Sequence, residues 1–206
     1  MVDYPNYLLD KLAVDFDEVK ICVETGTFEG NGAIAFSSFF ESVRTVELSK
    51  DLYNTCCEKH KGNDKVTFYQ GASTDRLEEM VKDIQQPYFL FLDSHHSGGL
   101  TVWDKAYGPL GSPVLQELDC VKENPPAWIV IDDLSDFDNS KIALDNRKSI
   151  VKVFGGEMLY PGRREIVDKV AEVGDYESPQ AISVEDSNHP NDGKPQWFCF
   201  KLKDIR

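Results

Sequence analysis

The chain has 206 residues, 41% of them hydrophobic and 28% charged, with 22 Lys and Arg against 36 Asp and Glu for a net charge of −14. This is the composition of a globular protein at a length where one domain over residues 1–206 is expected, and it excludes disorder as the dominant state. The acid excess argues against a grip on nucleic-acid phosphates, which needs clustered Lys and Arg, and against recruitment to an anionic membrane surface.

Five cysteines, Cys22, Cys56, Cys57, Cys120 and Cys199, show no paired metal spacing. They fit a reduced, cytoplasmic protein. No signal peptide precedes the first polar residues, and no apolar run approaches the roughly 18 residues of a membrane span.

In chain order, Asn6 can cap a short helix carrying Leu8, Leu9, Leu12, Ala13 and Phe16 at helical spacing. Lys20–Glu24 reads as a buried strand, followed by a glycine-rich turn and a helix over Ala33–Phe40. Val43–Glu47 is a second strand, and Ser49 can cap the next helix, which ends at Gly62. Lys65–Tyr69 is a third strand, followed by Gly71-Ala72-Ser73 and a helix with Leu77, Met80, Val81 and Ile84 on one face.

Tyr88–Asp93 is the most apolar run and leads into Asp93-Ser94-His95-His96-Ser97-Gly98-Gly99. Ser112 as N-cap with Pro113 at the first helical position opens a further helix, which leads to the strand Trp128–Asp133. A helix over Arg164–Val173 and strands near Ala181–Val184 and Gln196–Leu202 close the chain. Residues 136–160 and 187–195 read as surface loops or a lid.

Strands alternating with helices predict a doubly wound, Rossmann-like, mostly parallel α/β sheet. Ligands of such sheets bind beyond the carboxyl ends of the strands. Glu24, Glu47, Ser73, Asp93, Asp132 and Asp133 all fall there, where they would form a polar rim around a cleft.

Two readings of the glycine-rich turn compete. Gly30-Asn-Gly32-Ala-Ile-Ala35 fits the dinucleotide pattern G-x-G-x-x-A of an NAD-binding oxidoreductase, with Glu47 on a ribose. In that pattern, however, the first glycine follows the strand at once, whereas Gly30 lies six residues past Glu24. The other reading takes Glu24-Thr-Gly26-Thr-Phe-Glu-Gly30 as the turn, whose glycines allow positive φ and a close approach of backbone to a ligand.

That segment resembles the acid-x-Gly-x-x-x-Gly loop of class I S-adenosylmethionine-dependent methyltransferases. Glu47 ends the second strand where the family's ribose-binding acid belongs, Ala72 and Ser73 lie at its adenine-contacting segment, and Asp93 ends the fourth strand. The resemblance runs from about Lys20 to Leu134. It implies a seven-stranded sheet closing on an antiparallel pair, with S-adenosyl-L-methionine held by Glu24, Gly26, Gly30, Glu47, Ala72, Ser73 and Asp93.

Asp93, Asp132 and Asp133 come from adjacent strand ends, and three such carboxylates repel unless protonated or bridged by a cation. All-oxygen ligation suits Mg. The trio resembles the metal ligands of small-molecule O-methyltransferases of the catechol and macrocin or aminocoumarin sugar types. That likeness implies a divalent metal on Asp93, Asp132 and Asp133 which orients and acidifies an acceptor hydroxyl. His96 stands where the catechol type has a lysine base, with His95 and Asp93 as the other candidates. The expected reaction is O-methylation of a small polar hydroxylated molecule, such as a sugar, polyol or catechol; a metal-independent transferase on another acceptor and the NAD reading stay open.

Overall fold

A computed structural model describes residues 4–95, 111–137, 160–184, 193 and 195–204. Its elements are α1 (Tyr4–Leu12), β1 (Ile21–Thr25), α2 (Asn31–Phe36), β2 (Ser42–Glu47), α3 (Lys50–Lys59), β3 (Val66–Gln70) and α4 (Ser73–Val81). They continue with β4 (Tyr88–Leu92), α5 (Val114–Cys120), β5 (Trp128–Ile131), a 3-10 turn (Leu134–Phe137), α6 (Arg163–Val173), β6 (Gln180–Ser183) and β7 (Pro195–Lys201).

The seven strands form one sheet in the order β3-β2-β1-β4-β5-β7-β6. β1 to β5 run parallel, and β7 enters antiparallel to both β5 and β6. The doubly wound sheet with a terminal antiparallel pair is the expected one. β4, Tyr-Phe-Leu-Phe-Leu, is buried at every position because it lies between β1 and β5 with apolar layers on both faces. Successive residues feed opposite layers. Cys22, Phe89 and Val130 pack with α1 and α2, whereas Val23, Leu90 and Ile129 pack with α4, α5 and α6. No helix among the described residues is long and apolar enough to cross a membrane.

Several helix boundaries differ from expectation for local reasons. α1 starts at Tyr4, so Asn6 lies inside it and is not its cap. It stops at Leu12, short of Phe16, because Ala13 turns left-handed at φ 49°. There Ala13 N–H donates to Asp10 O and Val14 N–H to Leu9 O, the paired bonds of a Schellman end.

α2 ends at Phe36 and does not reach Phe40. The Ser37 hydroxyl donates to Ile34 O at 2.7 Å, and Lys65 Nζ serves the carbonyls of Ser37 and Phe40 that the helix leaves unpaired. α3 does begin at the Ser49 cap, whose hydroxyl accepts from Leu52 N–H, but it closes at Lys59, before Gly62. α5 starts one residue late, with Pro113 itself at the N-cap.

Candidate active site at the carboxyl ends of the strands

The chain runs outward from β1 to β3 and then returns to β4 on the other side of β1. The β1/β4 boundary is therefore the point where a doubly wound sheet opens a crevice. Gly26, just past β1, has φ 85°, and a Cβ there would stand 2.4 Å from the Asp93 carbonyl oxygen. Only glycine lets the two strand ends close this far. Gly26 and Thr27 N–H both donate to Val46 O, and Gly30, at φ 80°, caps α2. A Cβ on Gly32 would reach within 2.5 Å of Glu24 Oε1, so the loop is shaped around that carboxylate.

Glu24 is 3% exposed and accepts from the Thr45 hydroxyl at 2.6 Å. Burial, with Asp93, Asp132 and Glu47 adding repulsion, pushes its carboxyl up to about 8. Glu47 is also buried and receives Phe28 N–H and Ser49 N–H at 2.8 Å each, one on each oxygen. Burial raises its pKa against those backbone donors. Its two oxygens form the paired acceptor that two vicinal hydroxyls would need. Ala72 precedes α4 and Ser73 opens it, both buried. The acidic strand ends and a glycine cradle with no room for a Cβ fit a cationic, ribose-bearing cofactor.

The dinucleotide placement is absent. Gly30 is the cap of α2, and Gly32, Ala33 and Ala35 lie within the helix, so no glycine of that pattern follows β1 directly.

Asp93, Asp132 and Asp133 do converge, but protein donors occupy the space between them. His95 bridges two of them, with Nδ1 3.1 Å from Asp93 Oδ1 and Nε2 2.8 Å from Asp133 Oδ2. Gln196 Nε2, from β7, donates to Asp132 Oδ1 at 2.9 Å and to Asp133 Oδ1 at 2.5 Å. Burial alone would lower the His95 pKa, but the two carboxylates hold it well above the ordinary value.

The bridge divides the acids. Against burial, His95 keeps Asp133 below the usual range, while burial and its charged neighbours push Asp132 well above it. Asp93 is raised by burial against the pull of His95. A protonated imidazole donating from both nitrogens has no lone pair for a metal or for a substrate proton. Among the described residues no group of three His, Cys, Asp or Glu side chains is set to hold an ion. The carboxylates as arranged are compensated from within the chain and do not fit magnesium. His96 and the glycines after it lie outside the described residues.

Three site residues were not anticipated. Thr45 fixes Glu24, and Gln196 reaches the acids only through the antiparallel register that pairs Ile131 with Phe198. Glu117 had a legible signal, because it falls on the stripe Val114, Leu118 and Val121 that faces the core.

No protein-family model matches the chain, and no curated protein matches it in sequence. Solved structures do. The O-methyltransferase TomG from Streptomyces achromogenes, involved in tomaymycin synthesis and solved in complex with SAM, superposes with a TM-score of 0.60 at 15% identity, over 99% of this chain and 82% of that one. An O-methyltransferase family protein from Burkholderia thailandensis gives 0.58 at 11% identity, over 98% of this chain and 57% of that one. Human N-acetylserotonin methyltransferase in complex with SAM gives 0.56 at 11% identity, over 94% and 50%. At these identities the likeness is one of architecture: the chain has the Rossmann-like fold of the class I S-adenosylmethionine-dependent methyltransferases.

Proposed function

We propose that the protein is an S-adenosylmethionine-dependent O-methyltransferase acting on a small polar hydroxylated molecule. The observation that carries this reading is the crevice at Gly26, where a glycine with no room for a Cβ closes against the Asp93 backbone, and Glu24, Glu47 and Asp93 stand near enough to repel one another at the carboxyl edge of a methyltransferase fold. When bound, S-adenosylmethionine supplies an electrophilic methyl group on a sulfonium, which an acceptor oxygen takes as the carbon–sulfur bond breaks.

The residues provide the rest. The backbone of residues 26–30 and Glu24 orient the cationic end of the ligand, and Glu47 takes the ribose hydroxyls. Asp93 is 29% exposed and keeps one oxygen outside the His95 bridge. That oxygen accepts the acceptor hydroxyl's proton as the new carbon–oxygen bond forms. His95 and Asp133 hold Asp93 in place, and the imidazolium stabilises its charge.

Calorimetric titration with S-adenosylhomocysteine and with NADH tests the cofactor. Micromolar binding of the first alone is expected, and binding of NADH alone overturns the reading. Methylation of a hydroxylated acceptor is expected to continue in excess chelator; its abolition there would restore magnesium to the three aspartates.

A further inference from the structure

Glu117 projects from α5 into the core and is 1% exposed. The hydroxyls of Ser73, Thr25 and Ser94 are set against its two enclosed oxygens, although none of these contacts has full hydrogen-bond geometry. They come from three segments at the carboxyl edge of the sheet: the start of α4, the end of β1 and the turn after β4. An ionised carboxylate only accepts, so each hydroxyl can turn its single proton to Glu117 and keep its lone pairs for another donor.

For Thr25 that donor is Asp93. The Thr25 hydroxyl oxygen receives Asp93 N–H at 3.3 Å, beside the bond from the same N–H to Thr25 O at 3.1 Å. The Ser94 carbonyl accepts from the Ser112 hydroxyl at 3.4 Å, and His95 N–H returns to Asp93 O at 3.1 Å. The backbone that carries Asp93 and His95 is thus tied to hydroxyls whose polarity Glu117 sets. Burial pushes the Glu117 carboxyl up to about 7 against the pull of those hydroxyls, with Asp93 adding repulsion; Cys120, one turn on along α5, is its other titratable neighbour.

We infer that Glu117 is a positioning residue for the proton acceptor: through the Thr25 and Ser94 hydroxyls it fixes the segment Asp93–His95, so that the Asp93 carboxylate meets the His95 ring. The inference rests on the role given to Asp93 above and adds what holds that residue in place. His95 reports on it, because the charges that hold the His95 proton are Asp93 and Asp133. Glu117 acts on the ring by placing Asp93.

The test is the pH titration of the His95 ring nitrogens by 15N NMR, assigned with a His95→Gln sample. Glu117→Met removes the acceptor from a chain of similar length, and Ser94→Ala removes one hydroxyl from a half-buried residue. Glu117→Gln drops the charge but keeps an accepting oxygen. The first two are expected to lower the His95 titration by at least about one pH unit, and Glu117→Gln to leave it within about 0.3 unit. A residue that only fills the core would change the melting temperature and leave the ring alone. An unchanged His95 titration in Glu117→Met and Ser94→Ala therefore overturns the inference. A shift in Glu117→Gln as large as in Glu117→Met also overturns it, by making the effect one of charge. If Glu117→Met does not fold, Ser94→Ala decides by the same measure. Wild-type protein that binds no S-adenosylhomocysteine in calorimetry overturns the cofactor reading, and with it the role served here, whatever the ring titrations show.

Discussion

Glu24→Gln separates what this site does for a ligand from what it does to the fold. The native carboxyl stands at about 8, against about 4.5 in the unfolded chain. A raised native pKa means that the folded form binds the proton more tightly. Its contribution to stability is complete below pH 4.5 and is lost as pH rises toward 8. At 1.36 kcal/mol per unit, the part of that window between pH 5 and pH 8 is worth about 3 kcal/mol. The burial behind the shift is real, because the side chain is 3% exposed.

Glutamine keeps the oxygen that accepts from Thr45 and carries no titrating proton. Urea unfolding of both proteins at pH 5 and pH 8 reads the difference. The variant should gain about 3 kcal/mol on wild type between the two pH values, while its affinity for S-adenosylhomocysteine falls. An identical pH dependence in the two proteins would refute the idea that Glu24 is held buried and strained for a cationic ligand.

Gly26→Ala drives a methyl group into the Asp93 backbone at a left-handed φ and should cost about 3 kcal/mol in urea unfolding; a loss under 1 kcal/mol would mean that the loop is free to move. Glu47→Ala removes the acceptor for Phe28 and Ser49 N–H and should weaken S-adenosylhomocysteine at least tenfold in calorimetry. His95→Ala removes the donor that Asp93 and Asp133 share and leaves Gln196 on Asp132 and Asp133. It should destabilise the protein by about 2 kcal/mol at pH 8 and by much less at pH 5, where the acids can protonate; equal melting losses at both would refute the bridge. Ala13→Gly relieves a left-handed alanine and should be neutral or stabilising by up to about 1 kcal/mol, read as a rise in melting temperature.

Strands were legible wherever burial on both faces left an unbroken apolar run, as in Tyr88–Leu92. The helix ends were less so. Nothing local marks Ala13 as a left-handed stop, since alanine is a good helix former and the turn is stabilised by packing Leu9 and Val14 into one core layer. α2 is similarly cut short by Lys65, a residue from β3's approach that chain order separates from it by 28 positions.

Residue order by itself determined the alternation of strand and helix, the parallel sheet, and the row of acids that ends its strands. Periodicity and strand polarity are local properties written into a few neighbouring side chains. Only the tertiary structure decided what those acids face. His95 reaches from β4 to Asp133 after β5, and Gln196 arrives from β7, 63 residues beyond Asp133. Glu117 is buried against β1, α4 and the Asp93 loop. Whether a carboxylate meets a metal, an imidazolium or a hydroxyl depends on which distant side chain packing places within about 3 Å of it.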